Sequence, residues 1–401
     1  MCKKTVCELF AGVGGFRLGL EKSSPDWKTV WFSQWEPGKK KQWAHDCYVK
    51  HFGDIDDFTG IDIALVDKSK IPEHNLLVGG FPCQDYSVAH SLNGEKGIEG
   101  KKGVLWWQIY DVLISKNPPF VLLENVDRLL KSPSKQRGRD FGIILACFAS
   151  LGYSVEWRVI NAAEYGAAQR RRRVFIFACS NKTKYANKLG KKNAVEIISS
   201  KGFFSKTFPI VNSGHINSYK IDISDLAKLS DTFCFPFKDS GVMKDGEIFT
   251  AVVESVKEPA IPLGELIEKN VSEEFFLTTS LDKFKYLKGA KRVERTAKTG
   301  FKYIFSEGAV AFPDKLDLPA RTMLTSEATV NRSTHVIEDP TTKRLRLLTP
   351  LEAERIQGFD DNWTDTGMPQ KFRYFCMGNA LVVPLITRMG NELNKIFEEE
   401  K

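Results

Sequence analysis

Hydrophobic positions in the first 180 residues fall into short runs separated by amphipathic stretches, a pattern that predicts a mostly parallel sheet with helices on both faces. The runs predicted as strands are Thr5 to Phe10, Val30 to Ser33, Asn75 to Val78, Phe120 to Leu123, Ser154 to Ile160 and Val174 to Ala178. Between them, Val104 to Ser115 and Phe141 to Leu151 have helical spacing; Asn117-Pro118-Pro119 stops the first and Gly152 the second. The alternation predicts a doubly wound α/β fold. Regular patterning returns near the end of the chain. Thr349-Pro350-Leu351-Glu352 reads as a capping box with proline at the first helical position, and Gly358 closes that helix. Leu385, Met389, Leu393, Ile396 and Phe397 then form the apolar stripe of a final helix.

Periodicity weakens in between. Lys182 to Lys206 holds seven lysines against one glutamate, and the sequence that follows is irregular. The expected organisation is one domain built from residues 1–181 and 346–401, interrupted by a second, smaller and less regular domain at 182–345. Composition changes this picture little: 58 Lys and Arg against 50 Asp and Glu give a formal net charge of +8, which permits a polyanionic partner. The eight cysteines are scattered without a C-x-x-C pair and the six histidines lack ligand spacing, so free thiols in a reducing compartment and no metal site are expected. No apolar run approaches the ~20 residues that crossing a bilayer takes, and the expectation is a cytoplasmic protein with no membrane contact.

Candidate chemistry gathers at strand ends. The first strand runs into Phe10-Ala11-Gly12-Val13-Gly14-Gly15-Phe16, a glycine-rich turn opening a helix, where a ligand can approach the backbone closely. Glu36 follows the second strand, where doubly wound folds place a carboxylate for ribose hydroxyls; Asp62 precedes the third and is suited to an adenine amino group. The third strand leads into Gly79-Gly80-Phe81-Pro82-Cys83-Gln84 and the fourth into Glu124-Asn125. Because the carboxyl ends of strands line the crevice of an open α/β sheet, that thiol and that carboxylate should face one site. The connection before the sixth strand ends in Gln169-Arg170-Arg171-Arg172-Arg173, which in extended form turns Gln169, Arg171 and Arg173 to one face. Such a cluster suits phosphate.

In this order the motifs resemble the DNA cytosine C5 methyltransferases of bacterial restriction–modification type. Phe10 to Gly15 is similar to the family's cofactor loop, Pro82-Cys83-Gln84 to its nucleophile motif, and Glu124-Asn125-Val126 to its acid motif. Gln169-x-Arg171-x-Arg173 is similar to its arginine motif, Arg321-Thr322-Met323 with Arg346 to Phe359 to the region after target recognition, and Gly378-Asn379 to its closing cofactor motif. The resemblance implies S-adenosylmethionine as cofactor, with Phe10 stacked on its adenine, Ala11, Gly12, Val13 and Gly15 in the turn, and Glu36 on its ribose. Asp62 and Ile63 would meet the adenine edge, Leu105 would pack on the adenine, and Pro82 and Asn379 would also border the cofactor. The stretch after Glu36, Gly38 to Gln42, is longer and more basic than the family's usual one, and Asp85 stands where a small or apolar residue is more common.

The implied reaction explains the residue types. Cytosine C5 is a poor nucleophile until a thiolate, here Cys83, adds at C6; Glu124 then protonates or hydrogen-bonds N3, while Arg171 and Arg173 serve O2 and a neighbouring phosphate in an order the sequence leaves open. Nor does the sequence identify the base that removes the C5 proton. The cytosine must be flipped out of the duplex. Contacts to double-stranded DNA are expected from Ser87, Gln169, Lys291, Arg292 and Arg295, the last three within a basic stretch interleaved with Phe284, Tyr286, Phe301 and Tyr303. The expected state is a monomer, with a cognate restriction endonuclease acting on the same site. Two other readings are an RNA cytosine methyltransferase, which parallel assays on RNA and duplex DNA separate, and a catalytically silent DNA-binding homologue, which the retained Cys83, Glu124 and arginines oppose. A nicotinamide-dependent dehydrogenase accounts for the first turn but not for the cysteine, acid and arginines.

Overall fold

The computed structural model describes residues 3–81, 105–223, 226–297 and 300–401. Strands β1 (Thr5–Leu9), β2 (Lys28–Ser33), β3 (Leu76–Gly80), β4 (Phe120–Val126), β5 (Tyr153–Asn161) and β6 (Arg172–Ser180) stand where the hydrophobic runs predict them. In β4 and β6 successive residues go to opposite cores: Phe120, Leu122, Phe175 and Phe177 to one, Val121, Leu123, Val174 and Ile176 to the other. Strands buried on both faces need continuous apolar runs, which is why they are legible. Helices α1 (Gly15–Ser23) and α2 (Trp43–Phe52) lie on the first side, and α3 (Leu105–Lys116) and α4 (Arg139–Ser150) on the second.

Sheet order places β2, β1, β3 and β4 side by side, all parallel, followed by β6 and then β5. Strand β6 runs antiparallel to β4, with Val126 opposite Arg173, so the arginines at its beginning share the edge formed by the carboxyl ends of the parallel strands.

The sheet does not stop at residue 181. Segment 182–208 forms α5 (Lys184–Leu189), which packs on β6, α6 (Ala194–Glu196), and α7 (Phe203–Thr207), which packs on β5. Fully buried Arg158 on β5 donates to the carbonyls of Ile198, Phe204 and Phe208, and Glu156 accepts from the Tyr185 hydroxyl and the Phe203 amide. Beyond it, β7 (Ile210–Ser213) pairs with β11 (Val253–Ser255), while β8 (Asn217–Lys220), β9 (Ser240–Lys244) and β10 (Glu247–Ala251) extend the main sheet to nine strands in the order β5-β9-β10-β8. Helix α8 (Leu226–Thr232) packs on α4. Strands β8, β9 and β10 thus share the sheet of β1 to β6, although they fall within the stretch 182–345 expected to form a second domain. By pairing, β1 to β5 and β10 point one way, and β6, β8 and β9 the other, so the sheet is mixed, with most strands sharing one direction.

Farther on, α9 (Leu281–Lys288) leads to a two-stranded ribbon of β12 (Lys291–Thr296) and β13 (Lys302–Glu307), followed by the hairpin of β14 (Val336–Glu338) and β15 (Leu345–Leu347). Helix α10 (Pro350–Gln357) has the expected capping box between Thr349 and Glu352 and ends at Gly358 with φ of 81°. Helices α11 (Gln370–Asn379) and α12 (Val383–Glu399) complete the chain, and α12 lays its predicted stripe on α1, where Gly19 leaves no room for a Cβ against Ile386. Among the described residues no helix is long and apolar enough to cross a membrane, and no cluster of His, Cys, Asp or Glu is arranged to hold a metal.

Candidate active site

The glycine-rich turn needs backbone geometry that glycine permits. Gly12 and Gly14 have positive φ, Phe10 adopts it against the preference of a residue with a Cβ, and a Cβ on Gly14 would lie 2.4 Å from the Phe52 ring. Nothing comes within 4 Å of a Cβ added at Gly12, so that position faces open space. The turn is held by groups the sequence did not announce: the Gly12 amide donates to Gln34 Oε1 at 2.7 Å, and the Trp363 indole donates to the Val13 carbonyl at 2.8 Å. Ala11 is buried against Phe32 and Tyr48. Leu381 packs against Gly15, which brings the segment just after Asn379 onto the turn; Asn379 itself is exposed at the end of α11.

Beside the turn, partly buried Phe10, Ile61 and Leu105 rim the same apolar cluster that contains Ile63. Asp62 caps the short helix Ile63–Leu65, accepting from the Ala64 amide through Oδ1. Glu36 is half-buried, its Oε2 is buried without a hydrogen-bond partner among the described residues, and desolvation raises its carboxyl above the usual range. A buried acceptor left open asks for a donor. Open space at Gly12, an apolar rim and an unpartnered carboxylate together fit a nucleoside-bearing cofactor.

Beneath the turn, Glu8 on β1 is fully buried, accepts from the Tyr48 hydroxyl at 3.0 Å, and is pushed up to about 8 by burial, against the opposing pull of Tyr48 and Arg17. In the unfolded chain the same carboxyl ionises near the ordinary value of 4.5. Its contribution is therefore fully present below that value and is lost as pH rises toward 8, on the order of a few kcal/mol. Glu8→Gln should remove this slope, so that its stability advantage over the wild type grows between pH 5 and pH 8 in urea unfolding. Parallel stability curves for the two proteins would show that Glu8 is not held protonated.

On the other side of the edge, sheet register sets Glu124 opposite Gly80. Glu124 Oε1 meets Arg173 Nε at 2.9 Å, with 12% and 17% of the two side chains exposed, so the pair is sheltered yet reachable. Asn125, whose role was not read from the sequence, donates from Nδ2 to the Phe81 carbonyl at 2.8 Å and so fixes the backbone leading toward the cysteine. Pro82, Cys83 and Ser87 lie outside the described residues.

The arginine stretch alternates as expected: Gln169 and Arg171 are buried, Arg170 and Arg172 exposed. Of the two arginines left open, Arg173 faces Glu124. Arg171 does not; it donates to the carbonyls of Met323 and Gly378, both at 3.0 Å, and burial followed by repulsion from Arg173 pushes it down to about 9. Gln169 Oε1 accepts from the Met323 amide, and Ala320 pairs with Ala168 and Arg170 through the backbone, so residues 320–323 line the arginine segment. Far along the chain, the β12–β13 ribbon is solvated on both faces. Arg292 is exposed without a hydrogen-bond or ion-pair partner among the described residues, Arg295 lies over the Phe305 ring at 3.6 Å, and Lys291 lies over Tyr286 at 4.6 Å. Of the interleaved aromatics Phe284 is buried, whereas Tyr286, Phe301 and Tyr303 are exposed.

A doubly wound sheet whose edge joins a glycine-rich turn to an acid–arginine pair is the framework of an α/β transferase. The chain belongs to the C-5 cytosine-specific DNA methylase family, whose pattern it matches over residues 4–395, and it is a DNA cytosine-5 methyltransferase. It is 53% identical to the Type II methyltransferase M.Sau3AI of Staphylococcus aureus, over 99% of this chain and 97% of that one. It is 27% identical to M.SsoII of Shigella sonnei, over 96% and 79% respectively. Among solved structures it is similar to the Entamoeba histolytica methyltransferase EhMeth (TM-score 0.60, 16% identity, 100% of both chains) and to S. pombe Dnmt2 (TM-score 0.59, 13% identity, 98% of both). At those identities the structures speak for the fold alone.

Proposed function

We propose that this enzyme methylates C5 of a cytosine flipped out of a specific duplex DNA sequence, through a covalent bond from Cys83 to C6. The observation that carries the reading is the Glu124–Arg173 pair, with Glu124 directly across the sheet from Gly80 and Cys83 three residues farther along the chain. Three residues span at most ~11 Å.

S-adenosylmethionine supplies the methyl group when bound; Phe10, Ile63 and Leu105 suit its adenine, Glu36 its ribose, and the turn from Ala11 to Gly15 with Pro82 and Asn379 the remainder. Asp62 keeps one carboxylate oxygen for the adenine edge while the other caps its helix. Cys83 forms the bond from sulfur to C6, and the electron pair displaced from the C5–C6 double bond makes C5 nucleophilic. Glu124 holds N3 by a hydrogen bond or proton, and Arg173 sets a cation where O2 gains charge. After methylation, loss of the C5 proton restores the double bond and expels the thiolate.

Target recognition falls to the part of 182–345 that stands outside the sheet, with the β12–β13 ribbon as its DNA-facing element, since a two-stranded ribbon fits the major groove. Ser87 remains assigned to the DNA side, whereas Gln169, fully buried with its Oε1 on the Met323 amide, is withdrawn from it. Arg292→Ala should weaken duplex binding and flatten its dependence on salt by about one counterion; a binding isotherm series with an unchanged salt slope would take Arg292 off the DNA. The enzyme is further proposed to act as a cytoplasmic monomer alongside an endonuclease cutting the same sequence, in keeping with relatives designated Type II methyltransferases.

The deciding experiment supplies labelled S-adenosylmethionine with duplex DNA and with RNA in parallel, followed by bisulfite sequencing of the product. Label in one cytosine context of the duplex is expected. Label in RNA alone, or on a base other than cytosine, would overturn the reading.

A further inference from the structure

Arg171 is two residues from the arginine beside Glu124, yet its guanidinium is committed elsewhere. Its two terminal nitrogens reach carbonyls that lie 152 and 207 residues away in sequence, Met323 and Gly378. The side chain is 2% exposed, and its Nε is buried without an acceptor among the described residues. Desolvating a guanidinium while leaving one donor unmet is costly, so the two remaining bonds must hold something in place.

What they hold is the junction beside the cofactor turn. Gly378 lies in the last turn of α11, where carbonyls have lost their helical partners and a cation is favoured by the helix dipole. A Cβ at Gly378 would lie 2.3 Å from the Thr325 amide nitrogen and 2.4 Å from the Leu324 carbonyl carbon, so this turn is already pressed against the 323–325 segment. Three residues later Leu381 presses on Gly15, at the start of α1. The path is continuous: strand end of β6, Arg171, Gly378, Leu381, glycine turn. On its other flank, Gln169 holds the Met323 amide, so the same segment is gripped by two side chains of the stretch leading into β6.

We propose that Arg171 is a positioning residue that fixes the Gly378–Leu381 turn against the glycine-rich cofactor turn, so that cofactor affinity depends on a side chain touching neither cofactor nor base. This rests on the methyltransferase reading above. It also divides the work of one motif between its two arginines, with Arg173 acting on the base side and Arg171 on the cofactor side.

The test uses S-adenosylhomocysteine binding to the full chain by calorimetry, thermal unfolding, and duplex DNA binding. Arg171→Lys keeps the charge but reaches only one carbonyl at a time, because an ammonium lacks the planar fork. Its affinity for S-adenosylhomocysteine should fall about tenfold, as expected for loss of one charged hydrogen bond, while duplex affinity in the absence of cofactor stays within about twofold of wild type. Arg171→Gln, which buries no charge, serves if the lysine variant does not fold, with the same expectation. Arg173→Lys, on the same strand face, should leave S-adenosylhomocysteine affinity unchanged. A folded Arg171 variant that binds S-adenosylhomocysteine like the wild type overturns the inference, as does an equal loss in the Arg173 variant. Failure of the wild type itself to bind S-adenosylhomocysteine would instead sink the functional reading.

Discussion

Cys83→Ser should reduce methyl transfer by about 10³-fold or more, because a hydroxyl at neutral pH is a far weaker nucleophile than a thiolate. Duplex binding should persist, since the proposed DNA contacts on the β12–β13 ribbon are untouched by the change. A duplex carrying 5-fluorocytosine at the target sharpens the test. Fluorine at C5 leaves no proton to remove after methylation, so the wild type should remain bonded to that DNA through denaturing electrophoresis, and the serine variant should not. Residual turnover near the wild-type rate, or a retained cross-link, would strip Cys83 of its role.

Glu124→Gln is expected to have the next largest effect, lowering kcat by about 10²–10⁴-fold, the usual range for loss of a positioned acid–base group. The amide preserves shape but cannot donate a proton to N3, and it removes the charge that holds Arg173 Nε at 2.9 Å. The loss should therefore appear in kcat, with S-adenosylhomocysteine affinity close to that of the wild type, because the carboxylate sits on the base side of the edge. A fall of less than tenfold in kcat, measured at saturating substrates, would show that N3 is served by another group.

Strands β4 and β6 were legible because each is buried on both faces and so demands a nearly unbroken apolar run, as in Val121-Leu122-Leu123. The start of α10 was legible for a different reason: its capping box is local chemistry, complete within four residues. Strand β8 escaped notice because it is an edge strand, exposed along most of its length, and offers no alternation to find. Glu156 and Arg158 interrupt the apolar run of β5, and nothing local announces that each finds its partners in segment 185–208. The arginine motif marks the limit for the site. Alternation turned Arg171 and Arg173 to one face, but their different partners depend on Met323 and Gly378, and no local pattern records contacts across 152 and 207 residues. Gln34 and Trp363, which hold the glycine turn, were hidden in the same way.

The three carbonyls gathered around Arg158 set a rule for anyone exchanging recognition segments between relatives. A graft that begins at residue 182 would hand that guanidinium a foreign backbone, and unless the incoming chain returned oxygens to the same spots, a cation would be stranded inside the protein. A crossover placed after Ser255 leaves those oxygens at home, so hybrids joined there should fold while hybrids joined at 182 aggregate.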